Sequence, residues 1–387
     1  MHVSQSVASK LSPPRAARLA VATMFFVAGA VQGNWVVRIP DVQQALGLSA
    51  GALGVALFGL PLGLLVGVPL SGWASVRWGS RSVTIVAALG TCATLTLPPL
   101  AGSGATLLAA LVLFGIASGS LDVAMNTQAV AVEARYERPI MSSFHAVFSG
   151  GGLAGSAVGG AVAALGVGPV LHLVGAGVVL GAMVAVAAGR LLPATVESRE
   201  RASRGSLRPS VRMLALGTIA FCVLMSEGAV ADWSAVFLRQ NVGAGAALAG
   251  AGFAAFSLAM AGGRLVGDVL NARLGAVVLL RLGGVVAGAG MALALLPDGT
   301  GLPVLGFGLV GAGLSTLFPT VIGAAGRTRD APTGTVIATI TALGYFGFLA
   351  GPPLIGLLAD VAGLRAALTV VVALALLVVV VAGSARD

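Results

Sequence analysis

The sequence predicts an all-α integral membrane protein with twelve transmembrane helices arranged as two pseudo-symmetric six-helix halves. Composition, the sidedness of the arginines and an internal repeat carry that prediction. Of 387 residues, 57% are apolar and 9% charged, and the mean hydropathy is +1.02. A soluble domain carries about 25% charged residues, so this chain lacks the polar groups to cover a globular surface. Its 57 glycines suit transmembrane helices, which approach one another through small residues.

The predicted spans lie near Ala16–Val37, Ala50–Trp73, Val83–Ala101, Ala105–Ala129, Ile140–Leu165 and Pro169–Leu192, then Val211–Leu238, Ala246–Leu270, Ala276–Pro297, Leu302–Ala325, Thr335–Leu358 and Ala366–Gly383. Each has the roughly 20 mainly apolar residues needed to cross a hydrocarbon core of about 30 Å. Met1–Pro14 is polar, and the apolar stretch after it is long enough to span rather than be cleaved as a leader. Cys92 and Cys222 fall inside apolar runs in opposite halves, which predicts buried thiols and no disulfide or metal site.

Of the 22 lysines and arginines, only Arg38, Arg239 and Arg365 fall on one side of this topology. All the others, from Lys10 to Arg386, fall on the opposite side. The positive-inside rule then places both termini and the central linker in the cytoplasm; low lysine with abundant Arg, Ala, Gly and Val suits a high-GC bacterium, and hence a bacterial inner membrane. One missed span would scramble this asymmetry. The net charge of +9 is thus a topology signal, and no nucleic-acid partner is expected.

The long polar stretch 193–210 reads as a cytoplasmic linker between halves 1–192 and 211–387. An ungapped offset of about 196 residues aligns the halves. It brings Arg77-Trp78-Gly79 onto Arg273-Leu274-Gly275, Gly67 onto Gly263, Gly115 onto Gly311, and Leu153-Ala154-Gly155 onto Leu349-Ala350-Gly351. Six-helix halves of this kind hold their solute between them near the midplane.

The loop after the second span, Gly72-Trp-Ala-Ser-Val-Arg77-Trp-Gly79-Ser-Arg81, resembles the signature loop of the major facilitator superfamily at Gly72, Arg77, Gly79 and Arg81. Val76 stands where that signature has its aspartate. The resemblance implies a cytoplasmic latch between halves, with Asp268 and Arg273 of the second copy carrying the acid and base. Leu121-Asp122-Val-Ala-Met-Asn126-Thr-Gln128, Ser142-Ser143-Phe144-His145 and Glu227-Gly-Ala-Val-Ala-Asp232-Trp233-Ser234 look like the MosC-like (YbjJ-like) branch, near the fucose-permease relatives. Gly151-x-x-x-Gly155-Ser156-x-x-Gly159-Gly160 is similar to the family's antiporter motif, with serine replacing proline. That likeness leans toward export by proton exchange, whereas helix packing through small residues explains the same glycines without any direction.

Ionisable groups inside spans are candidate coupling sites by default. Glu227 lies deep in the seventh span, where a carboxyl that gains and loses a proton as its surroundings open is what proton coupling requires. Asp232 is five residues on, roughly 140° around the helix, and so faces elsewhere. It is expected to take part in coupling or to pair with Arg38 or Arg239. Asp122 and Asn126 share a face by their i,i+4 spacing. With His145 they suggest either a titratable cluster or a structural tie between two helices. His172 reads as an interfacial residue. Gln32, Asn34 and Trp35 of the first span, Asn126, and Tyr345 of the eleventh, with Thr339 and Thr341 near it, offer hydrogen-bonding and stacking groups for a polar solute. Trp73 and Trp78 suit a membrane edge. Glu133, Arg135, Glu137 and Arg138 read as state-dependent salt bridges or as a solvated loop.

No catalytic or metal-binding motif is present, and Gly250-Ala-Gly252 lies within an apolar helix rather than after a strand. Lys10 is the only lysine, so there is no phosphate loop with its lysine. No cofactor is expected, and the energy source is an ion gradient. Titratable single groups favour protons over sodium. The sequence therefore predicts a non-enzymatic, monomeric, proton-coupled transporter of a small polar or amphipathic metabolite or drug. A proton symporter importing a sugar-like solute and a non-transporting receptor on the same fold are the alternatives.

Overall fold

The computed structural model describes residues 15–136, 140–193, 210–296, 299–326 and 333–385. The side chains of residues 142, 268, 326, 333, 334, 335, 337 and 338 are likewise not described. Twelve helices among the described residues are long and apolar enough to span a membrane. They are α1 (Arg15–Leu46), α2 (Ala50–Trp78), α3 (Ser80–Leu100), α4 (Gly104–Glu133), α5 (Ser143–Ala164), α6 (Pro169–Ala188), α7 (Val211–Gln240), α8 (Ala246–Gly267), α9 (Ala276–Ala294), α10 (Gly301–Ala325), α11 (Thr339–Ala362) and α12 (Leu364–Ala385). The expected linker lies almost wholly outside the described residues, as do Lys10, Glu137, Arg138, Arg327 and Arg329.

Contacts repeat between the two halves. In the first, α1 packs on α5 and α6, α2 on α4, and α3 on α4 and α6. In the second, α7 packs on α11 and α12, α8 on α10, and α9 on α10 and α12. Across the halves α5 meets α8, α11 meets α2, and α1 meets α7. Burial follows the same plan: α1 and α7 bury 72% and 67% of their apolar windows, whereas α6 and α12 bury 33%. The central helices are therefore walled by protein, and the peripheral ones turn apolar faces outward, as lipid requires.

The repeat is written into the close approaches. A Cβ at Gly115 would collide with the carbonyl oxygen of Leu60, and one at Gly311 with that of Phe256. Each member of the second pair lies 196 residues after its counterpart, so the same α2–α4 contact recurs as α8–α10. Gly79 (φ 79°) and Gly275 (φ 76°) end the second helix of each half in the same left-handed conformation, which favours glycine.

Two spans are interrupted in mid-course beside prolines, and α3 breaks near its end, at Leu95–Leu97 before Pro98. α2 breaks at Phe58, and α10 at Ser315 and Thr316. Pro61 and Pro319 lack the N–H that would bond to the carbonyl four residues earlier, which frees the backbone at those points.

The first helix exceeds its predicted end at Val37 by nine residues, passing through Arg38 and Pro40. Arg38 is only 3% exposed. It prolongs the helix rather than ending it because its guanidinium is satisfied inside the protein, as described below.

Candidate functional site

A cavity of about 600 Å³ lies between the halves, toward the side on which both ends of the described chain lie. α5 contributes His145, with Met141 just before it. α7 contributes Leu224 and Glu227, and α8 contributes Arg264 with Asn271 beyond it. The interrupted stretch of α10 adds Ser315, Thr316 and Thr320, with Phe318 and Ile322 as apolar wall. The break in α10 is thus part of the cavity wall. Close packing positions that wall, because a Cβ at Gly263 would strike the Ser315 hydroxyl.

Arg264 joins the two halves. Its Nη1 donates to Ser149 Oγ of α5 at 3.2 Å, and its Nη2 stands 4.0 Å from Glu227 Oε1. The second distance is an ion pair beyond hydrogen-bond reach. Both side chains remain about one-fifth exposed. His145 is within electrostatic reach of Arg264, and its ring meets Phe25 edge-on at 5.3 Å.

The expected Asp122–Asn126–His145 cluster is divided. Asn126 Nδ2 donates to the Asp122 backbone carbonyl at 2.8 Å and to its carboxylate at 3.2 Å. His145 instead faces the cavity of Glu227 and Arg264. Asp122 lies within electrostatic reach of Tyr345 on α11.

Asp232 does not make the expected pairing, because Arg38 and Arg239 both turn to Asp41. Among the described residues it has no hydrogen bond or ion pair. Gln32 is half-buried, and it too makes no hydrogen bond among them. Trp35 is buried, and its indole N–H finds no acceptor among the described residues.

A second polar assembly sits at the opposite end of the bundle. Arg38 Nε donates to His172 Nδ1 at 2.8 Å, Nη1 to Asp41 Oδ2 at 2.7 Å, and Nη2 to the Val167 carbonyl at 2.7 Å. With Nδ1 accepting, the proton of a neutral imidazole sits on Nε2. From there it is donated to Asn34 Oδ1 at 2.8 Å. Asn34 Nδ2 then donates to the Ala30 carbonyl at 2.8 Å. His172 is therefore buried rather than interfacial, and Asn34 ties helices together in this structure instead of lining the cavity. No local signal revealed this assembly, since its two ends are more than a hundred residues apart.

That end is also where the halves close. Asp41 reaches Arg239 of α7 at 3.8 Å, Gln240 Nε2 donates to Gln43 Oε1 at 2.8 Å, and Ser49 Oγ to Asp360 Oδ2 at 2.9 Å. Backbones approach as well: a Cβ at Gly54 would strike the Pro352 carbonyl. Asp41→Asn should weaken the closure modestly, because partly exposed ion pairs contribute about 0.2–1 kcal/mol. Spin labels at Gln44→Cys and Asn241→Cys, both exposed, would read it. The longer-distance population should rise by about 1.4- to fivefold, and an unchanged distribution would remove Asp41 from the closure. Cys92 and Cys222 are buried and leave that labelling clean.

Among the described residues no contact of the expected terminal-side latch is present. Gly72, Arg77 and Arg273 are exposed, Arg81 is half-buried, and none of the three arginines forms an ion pair among the described residues. The side chain of Asp268 lies outside them. Glu133 Oε2 accepts the backbone N–H groups of Ile140 and Met141 at 2.6 and 2.7 Å, so it caps the entry to α5. Trp73 and Trp78 stack edge-on at 5.2 Å on the exposed terminal-side end of α2.

The chain matches the Major Facilitator Superfamily model over residues 20–329. An MFS-type transporter of Yersinia pestis is 36% identical over 385 residues, covering 99% of this chain and 97% of that one. Membrane protein MosC of Rhizobium meliloti is 33% identical over 363 residues, covering 93% and 88%. A bacterial homologue of the human lysosomal transporter Spinster, inward-facing and unoccupied, superposes with a TM-score of 0.71 at 15% identity, covering 97% of this chain and 96% of that one. FucP in its outward conformation gives 0.62 at 16% identity, covering 98% and 99%. At these identities the two structures speak to the fold alone.

Proposed function

The chain belongs to the major facilitator superfamily and is a multi-pass membrane transporter of the alternating-access type; from that premise we propose that it is a proton-coupled secondary transporter of a small polar or amphipathic solute. The observation that carries this reading is the Glu227–Arg264 pair at 4.0 Å, partly exposed in a cavity walled by both halves. A carboxyl there can exchange protons with water while the cavity is open, and rocking of the halves moves it to the other side. Substrate, proton and gate then share one location.

By the positive-inside rule the terminal side is cytoplasmic and the cavity opens inward in this state; the composition and the bacterial relatives favour a bacterial inner membrane. The proton gradient supplies the energy without a cofactor, and the chain acts as a monomer. Export by exchange rested on the α5 glycines. A Cβ at Gly151, Gly155 or Gly160 would collide with the carbonyl of Phe26, Ala30 or Ala247 respectively. Close packing accounts for those positions without reference to a direction of transport, and the sign of the proton movement is left to decide it.

Proteoliposomes holding an internal pH dye test the reading against a panel of monocarboxylates, their amides, sugars, polyols and amines. At least one solute should move protons above the empty-liposome control, and the sign of the change separates symport from exchange. Solute crossing without proton movement would overturn the coupling. Binding without any crossing would favour a receptor.

A further inference from the structure

We infer that the solute is a small organic monocarboxylate received by Arg264, and that it crosses together with one proton on Glu227 in an electroneutral symport. This rests on the proton-coupled reading above and adds to it the charge of the solute and the stoichiometry.

The argument begins with the guanidinium. It has five N–H donors and stays charged in every state. Among the described residues, one hydrogen bond engages it, to Ser149 at 3.2 Å. The Glu227 carboxylate at 4.0 Å balances its charge without filling its donors. Arg264 therefore presents an open fork to a cavity of about 600 Å³, and a planar fork matches a carboxylate in bidentate fashion. Leu224, Phe318 and Ile322 supply an apolar wall for the body of the solute, and the Asn271 amide adds a neutral donor.

A cationic solute fits poorly. Among the described side chains its only counter-ion in this cavity is Glu227, and the permanent charge of Arg264 stands 4.0 Å from that carboxylate. A neutral solute would leave the open fork unanswered once Glu227 takes up a proton. An unpaired charge in a low-dielectric site is strongly disfavoured, so protonation of Glu227 and arrival of an anion favour each other.

Two occupancies keep the site neutral. In one, Glu227 is ionised and pairs with Arg264 with no solute present. In the other, Glu227 is protonated and Arg264 holds the carboxylate. A proton alone leaves one positive charge, and the anion alone leaves one negative charge. Only the two neutral forms can close and cross without a buried net charge, which makes the coupling one to one. Around Glu227 the charged and titratable groups are Arg264 on α8 and His145 on α5. α10, also packed against α7, contributes none among the described residues, and α12 contributes Arg365, which lies over the Phe237 ring at the far end of α7. On α11 the titratable groups are Tyr345, which neighbours Asp122, and Asp360, which bonds Ser49 at the far end. On α1 they are Arg15 and Arg18 at the terminal end, and Arg38 and Asp41 in the far assembly.

The experiment uses the full chain in proteoliposomes with lactate, shikimate and 4-hydroxybenzoate, each against its amide, together with glucose and benzylamine. Empty-liposome rates are subtracted. Proton movement driven by a carboxylate and absent with its amide supports the inference. Proton movement driven only by neutral or cationic solutes overturns it and leaves proton-coupled transport standing. Proton movement with none of them counts against the reading beneath it and takes this inference with it.

A second measurement on the wild type avoids any folding defect. With potassium and valinomycin setting the membrane potential, the initial rate of carboxylate uptake should stay within about 1.5-fold between inside-negative and zero potential, since the moving forms carry no net charge. A several-fold dependence would overturn the one-to-one pairing. Arg264→Gln should lower carboxylate-driven proton flux by more than about tenfold, and Arg264→Lys should restore part of it. An Arg264→Gln variant that folds and transports as the wild type does would remove Arg264 as the receptor.

Discussion

Glu227→Gln should abolish net accumulation of the solute while sparing its exchange. Glutamine keeps the shape and hydrogen-bonding capacity of a protonated glutamate, but it cannot release a proton. Arg264 then has no carboxylate to return to, and the empty carrier has a buried charge without its counter-ion. The loaded carrier still crosses in both directions. In proteoliposomes, proton-driven uptake should fall below about a tenth of the wild-type rate, as expected when one state of the cycle is blocked by more than about 1.4 kcal/mol. Counterflow of labelled against unlabelled solute should continue.

Affinity gives an independent sign. In the wild type, ionised Glu227 competes with the solute for Arg264, so the apparent affinity weakens as pH rises, by up to about tenfold per unit for a one-proton linkage. In the glutamine variant the profile should be flat over the same range. A variant that accumulates solute normally and keeps the slope would move the coupling role to Asp232 or Asp122. Asp232 has no partner among the described residues, and Asp122 shares its carboxylate with Asn126 at 3.2 Å.

The value of Glu227 as a candidate was legible because a carboxylate deep in an apolar run stands out in any hydropathy reading. Its partner was less visible. Arg264 lies nine residues before Arg273, or about 13 Å along a helix, yet it reads with the basic residues of the terminal side when arginines are sorted only by topology. Measuring each arginine's depth from the loop would have marked it as intramembrane. The twelve spans and the repeat were legible because they rest on length, apolarity and a fixed offset, which are properties of the chain alone.

The two misreadings at the far side share one cause. The first span was expected to stop at Val37, one residue before Arg38, whose charge is costly in an apolar medium unless it is satisfied. In the folded protein three acceptors from α1, α6 and the turn before α6 meet Arg38, so the cost is offset and the helix runs on to Leu46. His172 looked interfacial from its place near the outer end of the sixth span. Its partners Arg38 and Asn34 lie 134 and 138 residues away, and single-helix periodicity does not report contacts between helices. Asp41, the carboxylate that draws both Arg38 and Arg239, stood outside every predicted span. Without it in view, Asp232 was the only acid to assign to them.

Arg38→Met should therefore be among the most destabilising substitutions in the chain, although Arg38 touches neither the cavity nor the proposed solute. It removes three hydrogen bonds of 2.7–2.8 Å at once. The Val167 carbonyl and His172 Nδ1 lose their donor, and Asp41 keeps only Arg239 at 3.8 Å. Breaking a buried charged pair from one side costs about 3–5 kcal/mol, which corresponds to a fall in thermal midpoint on the order of 10 °C. Heating the purified protein in one detergent and following its native tryptophan fluorescence would measure the loss. The orphaned partners should account for most of it. Adding His172→Phe to Arg38→Met removes the stranded ring nitrogen, so the double variant should be less unstable than the sum of the two single changes. Arg38→Lys keeps the charge beside Asp41 but cannot serve three acceptors in a fixed plane, and it should fall between methionine and the wild type. A midpoint for Arg38→Met within about 1 °C of the wild type would mean that water or a rearranged His172 satisfies these groups. The far-side assembly would then not be what holds α1 against α6.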